Sequence, residues 1–445
     1  MIQDEAKSLR AGRSFYAGLL EALIRVMGSA NAYLYDHGRK VGFMAHQIGR
    51  AMGLSDLELA RLAFASVLAD LGMVGLAEDA WETPVRELPA EDRALVEEHP
   101  LRSQDRVAEI PHLESLAPLV RHHHEWWNGN GYPEGLAGED IPLESRIIRV
   151  ADTVVALGQN RPHRPACSPE EIAEIVSSGV GLEFAPQAGR AYLHLHREGG
   201  LRAFDATSFR EIICEAADHL LPPEVTTPSN DQLLSLLASV IEAKDPYTAG
   251  HSRRVAILAV AVAGTLGLSD SEKSDLWAGG YLHDLGKVSV PLRVLSKAGV
   301  LSAEEFALVK DHPGVGADIL ESIPALRGLS PGVRYHHEWW NGSGYPGEVR
   351  GEEIPPHAQI LAVCDGYDAM TSQRAYRDSR THAEALEEIA VSSGVQFSPR
   401  VAAAFLALPD HLFEAVRAQR PEVFDPDAVP CPTSWGIYGG SLYSL

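Results

Sequence analysis

The sequence predicts an all-α protein built as a tandem duplication of one helical domain, and three observations predict it. The stretch His123-His124-Glu125-Trp126-Trp127-Asn128-Gly129-Asn130-Gly131-Tyr132-Pro133 returns as His336-His337-Glu338-Trp339-Trp340-Asn341-Gly342-Ser343-Gly344-Tyr345-Pro346, with ten of eleven positions identical at an offset of 213. Further pieces align in the same order at 213 or 214. His37-Gly-Arg-Lys-Val pairs with His251-Ser-Arg-Arg-Val, Gly53-Leu54-Ser55-Asp56 with Gly267-Leu268-Ser269-Asp270, His99-Pro100 with His312-Pro313, and Asp152 with Asp365. Within each copy apolar residues recur at helical spacing, and no alternating strand pattern survives a whole window. Self-similarity over this many ordered points decides the architecture.

The elements follow in order. Residues 41–52 and 255–266 carry apolar side chains at helical spacing. Ser55, Ser168, Ser269, Ser302 and Thr381 each stand three residues before a glutamate (Glu58, Glu171, Glu272, Glu305, Glu384), the pattern of a capping box that starts a helix. Glycine and proline concentrate in residues 128–142 and 341–356, which read as matching long loops. The first domain is placed at residues 1–204 and a connection at 205–231, with room for a helix between Ser208 and Leu221. The second domain occupies 232–430, and a Gly-, Ser- and Tyr-rich tail takes 431–445.

Composition bounds the function classes. A chain of 445 residues, 45% hydrophobic and 22% charged, is an ordinary globular mix for two domains and excludes a disordered, coiled-coil or collagen-like chain. A formal charge of −23 argues against binding duplex nucleic acid, which needs a phosphate-neutralising surface. It leaves room for a small anion in one pocket, where local cations or metals reverse the field. No signal peptide is read at the N-terminus, and the most apolar run, residues 255–268, is shorter than the roughly 20 residues a bilayer needs. Four scattered cysteines make neither a disulfide framework nor a cysteine zinc site, so a reducing cytoplasm and no membrane association are expected. The one unusual count is nineteen histidines.

In the second copy His251, His283-Asp284, His312, His336-His337 and Asp365 all fall near helix ends or turns of the sequence reading. Imidazole and carboxylate suit borderline divalent ions such as Mn, Fe, Ni or Zn. Seven such groups exceed one tetrahedral site and suit two metals sharing a carboxylate, with Asp284 placed to bridge. A two-metal clamp is the arrangement that stabilises both the attacking and the leaving oxygen in phosphoryl transfer. A lone histidine is more often surface or satisfied core, and adjacent pairs are weak signals individually. The whole set, in one order and duplicated, outweighs that bland reading.

These residues carry a family resemblance. Over about residues 232–410 the chain resembles the HD-GYP domain, a subclass of the HD phosphohydrolase superfamily. His251, His283-Asp284-Leu-Gly-Lys287, His312-Pro, His336-His337-Glu338, Gly344-Tyr345-Pro346 and Asp365 fall in the family's order. The resemblance implies an all-helical HD core with an added helix pair, and hydrolysis of cyclic di-GMP to pGpG or GMP by an iron or manganese centre. It implies one metal at His251, His283, Asp284 and Asp365, and a second at Asp284, His312, His336 and His337. A hydroxide bridging the two would attack phosphorus in line. Lys287 would bind the scissile phosphate, Arg374 and Arg377 would grip the ligand's phosphates, and Tyr345 would shape the pocket mouth. For the two arginines a solvated helix end competes with that role, and for Gly344-Tyr345-Pro346 a mere tight turn does. A homodimer, or a GGDEF-type partner engaging the GYP loop, is also implied.

Three departures qualify the resemblance. Tyr247 stands where three-metal members have an acidic residue, which favours two metals. Trp339 and Asn341 replace an arginine and an aspartate usual before the GYP loop, so substrate preference could have moved to another cyclic dinucleotide. The first copy keeps His37, Asp70, His99, His123, His124 and Asp152, and Arg161 and Arg164 match Arg374 and Arg377. It has Ala69 for His283 and Met73 for Lys287, which predicts a catalytically dead or very weak domain. It could still hold one metal at Asp70, His99, His123 and His124 or bind a nucleotide; a structural partner packed on the second copy in a pseudo-two-fold dimer is the favoured reading. The leading function is thus a cyclic di-GMP phosphodiesterase. The competing ones are a phosphohydrolase for another nucleotide such as cyclic GMP-AMP and a non-catalytic cyclic di-GMP sensor or scaffold.

Overall fold

The computed structural model describes residues 20, 23–29, 32–74, 76, 83, 87–110, 112–161, 164–220, 234, 237–238, 250–297, 299–321, 323, 326–347, 349–372 and 379–417. Among the described residues every regular element is helical, and extended backbone is confined to isolated bridges. The chain divides into two compact units, residues 1–228 and 229–445.

The units repeat one helical plan. Helix Asp56–Leu68 answers to Asp270–Leu282, His99–Ala108 to His312–Glu321, Leu143–Leu157 to Pro356–Thr371, and Pro169–Gly179 to His382–Val391. Each of the five capping boxes read from the sequence is closed, with the serine or threonine oxygen accepting from the third backbone N–H and the glutamate reaching back to the cap. The two long loops carry only a short 3-10 turn each, Gly138–Asp140 and Gly351–Glu353. Helix Ala206–Leu220 falls in the stretch that the sequence assigns to the connection. It packs on Asp56–Leu68 and Ala32–Ala51 and buries Phe209, Ile213, Ala216 and Ala217, because its apolar residues recur every three or four positions. The tail read at 431–445 lies outside the described residues.

In the second unit helix His251–Thr265 is central. Its Val255, Leu258, Ala259 and Val262 are buried against Leu276, Leu361, Val363, Tyr367, Phe405 and Phe413. Burying such side chains contributes about 1.5–3 kcal/mol each and holds four helices in fixed register. The site depends on that register. His251 opens the central helix, His283 ends Asp270–Leu282, His312 opens its own helix, His336 and His337 follow Ser330–Arg334, and Asp365 sits inside Pro356–Thr371.

The turn after His283 is held at very close range. A Cβ added to Gly286 would lie 1.8 Å from the His312 carbonyl oxygen and 2.5 Å from the Gly316 nitrogen, so only glycine lets the two segments meet. Gly286→Ala should therefore destabilise the second unit by roughly 1–3 kcal/mol or more. Gly264→Ala, where a Cβ meets nothing within 4 Å near a helix end, should stabilise by about 0.5–1 kcal/mol. Thermal unfolding of the two variants beside the parent checks the opposite signs.

Candidate metal centre

Four histidines of the second unit, His251, His283, His312 and His336, have their ring orientation set by a bond from Nδ1. Those of His283, His312 and His336 donate to the carbonyls three residues back, Gly280 at 2.8 Å, Val309 at 2.7 Å and Val333 at 2.7 Å. Nδ1 of His251 donates to Asp368 Oδ2 at 2.7 Å. A neutral imidazole with its proton on Nδ1 presents a bare lone pair at Nε2. The Nε2 atoms converge: those of His251 and of His283 are 3.2 Å apart. Nε2 of His312 and of His336 are buried without a hydrogen-bond partner among the described residues. Acceptors turned on one another inside a protein call for a cation.

The donor atoms form two groups, His251–His283–Asp365 and Asp284–His312–His336–His337, each with its atoms within 4.8 Å of one another. Asp284 faces both. Its Oδ1 lies 3.3 Å from His312 Nε2, while Oδ2 lies 3.5 Å from His283 Nε2 and 3.7 Å from His251 Nε2. Nitrogen and carboxylate donors in two groups sharing one carboxylate fit two borderline divalent ions. The seven residues singled out in the sequence are thus brought together.

The electrostatics follow the same division. Burial, reinforced by His312, pushes His337 down to about 3, and burial with its histidine neighbours holds His336 well below its usual range. Burial alone would raise the carboxyls of Asp284 and Asp365, but Lys287 and the facing imidazoles hold the first well below the carboxylate range, and His251 does so for the second. His251 goes the other way. Burial opposes its charge, yet hydrogen bonds to Asp365 and Asp368 raise it to about 9.

Five of the seven donors, Asp284, His312, His336, His337 and Asp365, lie in the wall of a cavity of about 430 Å³ that is also lined by Lys287, Trp339, Tyr345, Met370, Arg380 and Gln396. Lys287 Nζ pairs with Asp284 Oδ2 at 2.7 Å, so its charge sits beside the shared carboxylate. Tyr345 stacks on His337, ring centroids 4.9 Å apart. The loop that carries Tyr345 runs against the His336-His337-Glu338 turn, where a Cβ on Gly344 would lie 2.3 Å from the Trp339 nitrogen. Buried Glu338 pins the loop by accepting from the Gly347 N–H at 2.5 Å. Arg374, Arg377 and Tyr247 lie outside the described residues.

Two participants went unread in the sequence. Asp368 fixes the His251 tautomer and is itself clamped by Arg254, whose Nε and Nη2 donate at 2.7 and 2.9 Å. Both stand three residues after a metal-ligand candidate on the same helix, Asp368 after Asp365 and Arg254 after His251, and that spacing was the available signal. In the first unit Asp70, His99, His123 and His124 also gather within 4.8 Å. His37 instead bonds Asp152 directly, Nε2 to Oδ1 at 2.8 Å, and Ala69 offers no donor.

Known proteins resemble the chain in both units. The profile of the HD domain family matches residues 21–187 and again residues 235–401. The chain belongs to the HD domain family, with two copies in tandem, and its second copy carries the motif of the HD-GYP subclass. It is 31% identical over 291 residues to a 3'3'-cGAMP-specific phosphodiesterase of Vibrio cholerae, covering 64% of this chain and 60% of that protein. It is 40% identical over 271 residues to a cyclic di-GMP phosphodiesterase of Pseudomonas aeruginosa, covering 60% of this chain and 62% of the relative. A cyclic di-GMP phosphodiesterase of Thermotoga maritima is 36% identical over 193 residues, 43% of this chain and 52% of the relative. The chain thus spans between about half and three fifths of these relatives' own length. A solved structure of a cyclic GMP-AMP-specific phosphodiesterase of V. cholerae superposes with a TM-score of 0.58 at 24% identity, over 89% of this chain and 98% of that one, a likeness of fold. No helix among the described residues is long and apolar enough to cross a membrane.

Two outcomes test the donor geometry. Asp368→Asn, by loosening His251, should weaken metal binding about 10–100-fold, read by competition with a chelating dye. A metal entering the His251 group must also displace the proton that His251 keeps up to about pH 9, so affinity there should climb about tenfold per pH unit from 6.5 to 8.5. The His312–His336–His337 group, whose members His336 and His337 are held neutral, should change little over that interval. Equal pH slopes for the two ions would contradict the assignment.

Proposed function

We propose that the second copy is a metal-dependent cyclic dinucleotide phosphodiesterase, and that cyclic di-GMP is its leading substrate, cleaved to pGpG, GMP or both. The observation that carries the reading is the shared carboxylate of Asp284 between two converging donor groups, with Lys287 beside it in the cavity wall. His251, His283, Asp284 and Asp365 would hold one ion, and Asp284, His312, His336 and His337 the other. Divalent ions bound there, iron or manganese as the HD-GYP resemblance implies, would supply Lewis acidity and a nucleophile at neutral pH.

The chain's own residues do the rest. Lys287 is positioned to take a non-bridging phosphate oxygen once substrate competes for its ion pair, and so to stabilise charge that grows in the transition state. Tyr345 and Trp339 line the cavity with flat faces suited to a base. Arg374 and Arg377 are assigned to the ligand's phosphates from the sequence motif. A substrate with two phosphates needs this cationic lining, because the chain as a whole is strongly acidic.

A second substrate, 3'3'-cGAMP, is favoured by one specific feature. Trp339 replaces the arginine usual at that position and lines the cavity, and one of the relatives above is specific for 3'3'-cGAMP. The full-length protein, purified anaerobically and loaded with Mn or Fe, should hydrolyse at least one of the two dinucleotides. His283→Ala combined with Asp284→Ala should reduce turnover by more than the roughly 10–100-fold that outer partners of a metal cost. Lys287→Ala should lower kcat by about 10²–10³, as removal of one oxyanion donor does. Liquid chromatography of the products reads all three. Hydrolysis that survives the double substitution would exclude this centre.

A further inference from the structure

The first copy is not simply an eroded duplicate, because its losses are matched by gains. Three changes fall around the position of the first metal. Ala69 stands for His283, Val155 for Asp368, and Arg149 for Ala362, while Glu183 stands for Gln396. Ala362 and Gln396 line the cavity of the second copy. In the first copy the Arg149 guanidinium fills that place. Its Nη1 is 3.1 Å from Asp152 Oδ2 and 3.3 Å from His124 Nδ1, and its Nη2 pairs with Glu183. His37, without an aspartate on Nδ1, turns its Nε2 to Asp152 at 2.8 Å and meets Gln159 Oε1 with Nδ1. Asp152 is therefore satisfied by protein donors on both oxygens.

The neighbouring position keeps its cation-seeking arrangement. Nδ1 of His99 and of His123 donate to the carbonyls of Val96 and Val120, each at 2.6 Å. Their Nε2 atoms face one another at 3.2 Å, with Asp70 Oδ1 at 3.4 Å from the first and 3.9 Å from the second. Both rings are buried. Two buried lone pairs and a carboxylate around one point are a cost without a cation there.

We propose that the first copy is a mononuclear site. It holds one borderline divalent ion on Asp70, His99 and His123, with His124 alongside, and the Arg149 guanidinium replaces the second ion as the fixed charge on Asp152. Met73, in place of Lys287, and the Arg149–Glu183 pair leave that copy to bind metal without the phosphate-binding charge of its sibling. The ion would tie together three segments of the first unit, as a closed structural site does.

The test uses the full chain with second-copy binding removed by His251→Ala, His283→Ala, Asp284→Ala, His312→Ala and His336→Ala, which break both donor groups of that copy, so it does not depend on the activity proposed above. After Mn(II) dialysis this protein should retain about one ion per chain by elemental analysis, with the uncoupled six-line spin-resonance spectrum of an isolated ion. Adding His99→Ala and His123→Ala should remove it. In the same background Ala69→His alone should leave about one ion, and Ala69→His with Arg149→Ala should admit a second, spin-coupled one. Circular dichroism on each variant verifies that the helices persist, and Arg149→Met serves if the alanine variant unfolds. No retained ion would overturn the mononuclear site. A second ion bound by Ala69→His with Arg149 intact would overturn the role of the guanidinium.

Discussion

Buried imidazoles whose Nδ1 protons are already spent dominate the second unit. Each ring gives its N–H to a carbonyl one helical turn back or to Asp368, so its remaining lone pair has nowhere to go but inward. Such a cluster is unfavourable as protein alone, since acceptors repel and burial strips them of water. It becomes favourable around cations. The packing of helix His251–Thr265 against Asp270–Leu282 and Pro356–Thr371 is therefore what opposes the repulsion until metal binds. Close approaches such as Gly286 against His312 exist to bring lone pairs from separate helices to one place.

Comparison of the two copies shows how few atoms decide the outcome. Asp368 accepts from His251 Nδ1 and leaves Nε2 facing the donor group; without that aspartate, His37 meets Gln159 with Nδ1 and bonds Asp152 through Nε2. Once His283 has become Ala69, the uncompensated Asp152 needs another cation, and Arg149 supplies one that requires no loading. The compensation is local, because the Asp70, His99 and His123 geometry beside it is kept.

Much of this was legible in the chain because the repeat supplied its own alignment. Ordered recurrence located His251, Asp284, His312, His336, His337 and Asp365, the His-Asp pair added His283, and the capping boxes located helix starts, since these signals are carried by residue identity at fixed spacing. Asp368, Arg254 and Arg149 were not legible in the same way. Their importance lies in which atom of a neighbour they touch, and a lone charged residue on a helix is ordinarily a solvated one. The Ala206–Leu220 helix was placed in a connection because its apolar face has meaning only against Asp56–Leu68. Arg374 and Arg377 remain assignments of motif, being outside the described residues.

The division between chemistry and selectivity in the proposed enzyme also follows from position. The donors and Lys287 come from helix ends and turns and, for Asp365, from within Pro356–Thr371, packed where a displaced atom would disturb several neighbours at once, so the centre tolerates little variation. The groups that would meet the bases come from other parts of the wall: Trp339 from the turn after the paired histidines, Arg380 from the stretch before helix His382–Val391. Trp339 is partly open to solvent, and the Arg380 guanidinium is held by an ion pair with Glu388 and a weak contact with Met370 Sδ. An exposed pair of that kind contributes little to stability, so these positions can change without cost to the fold. In the proposed enzyme the wall rather than the donors would accordingly set the preference among cyclic dinucleotides.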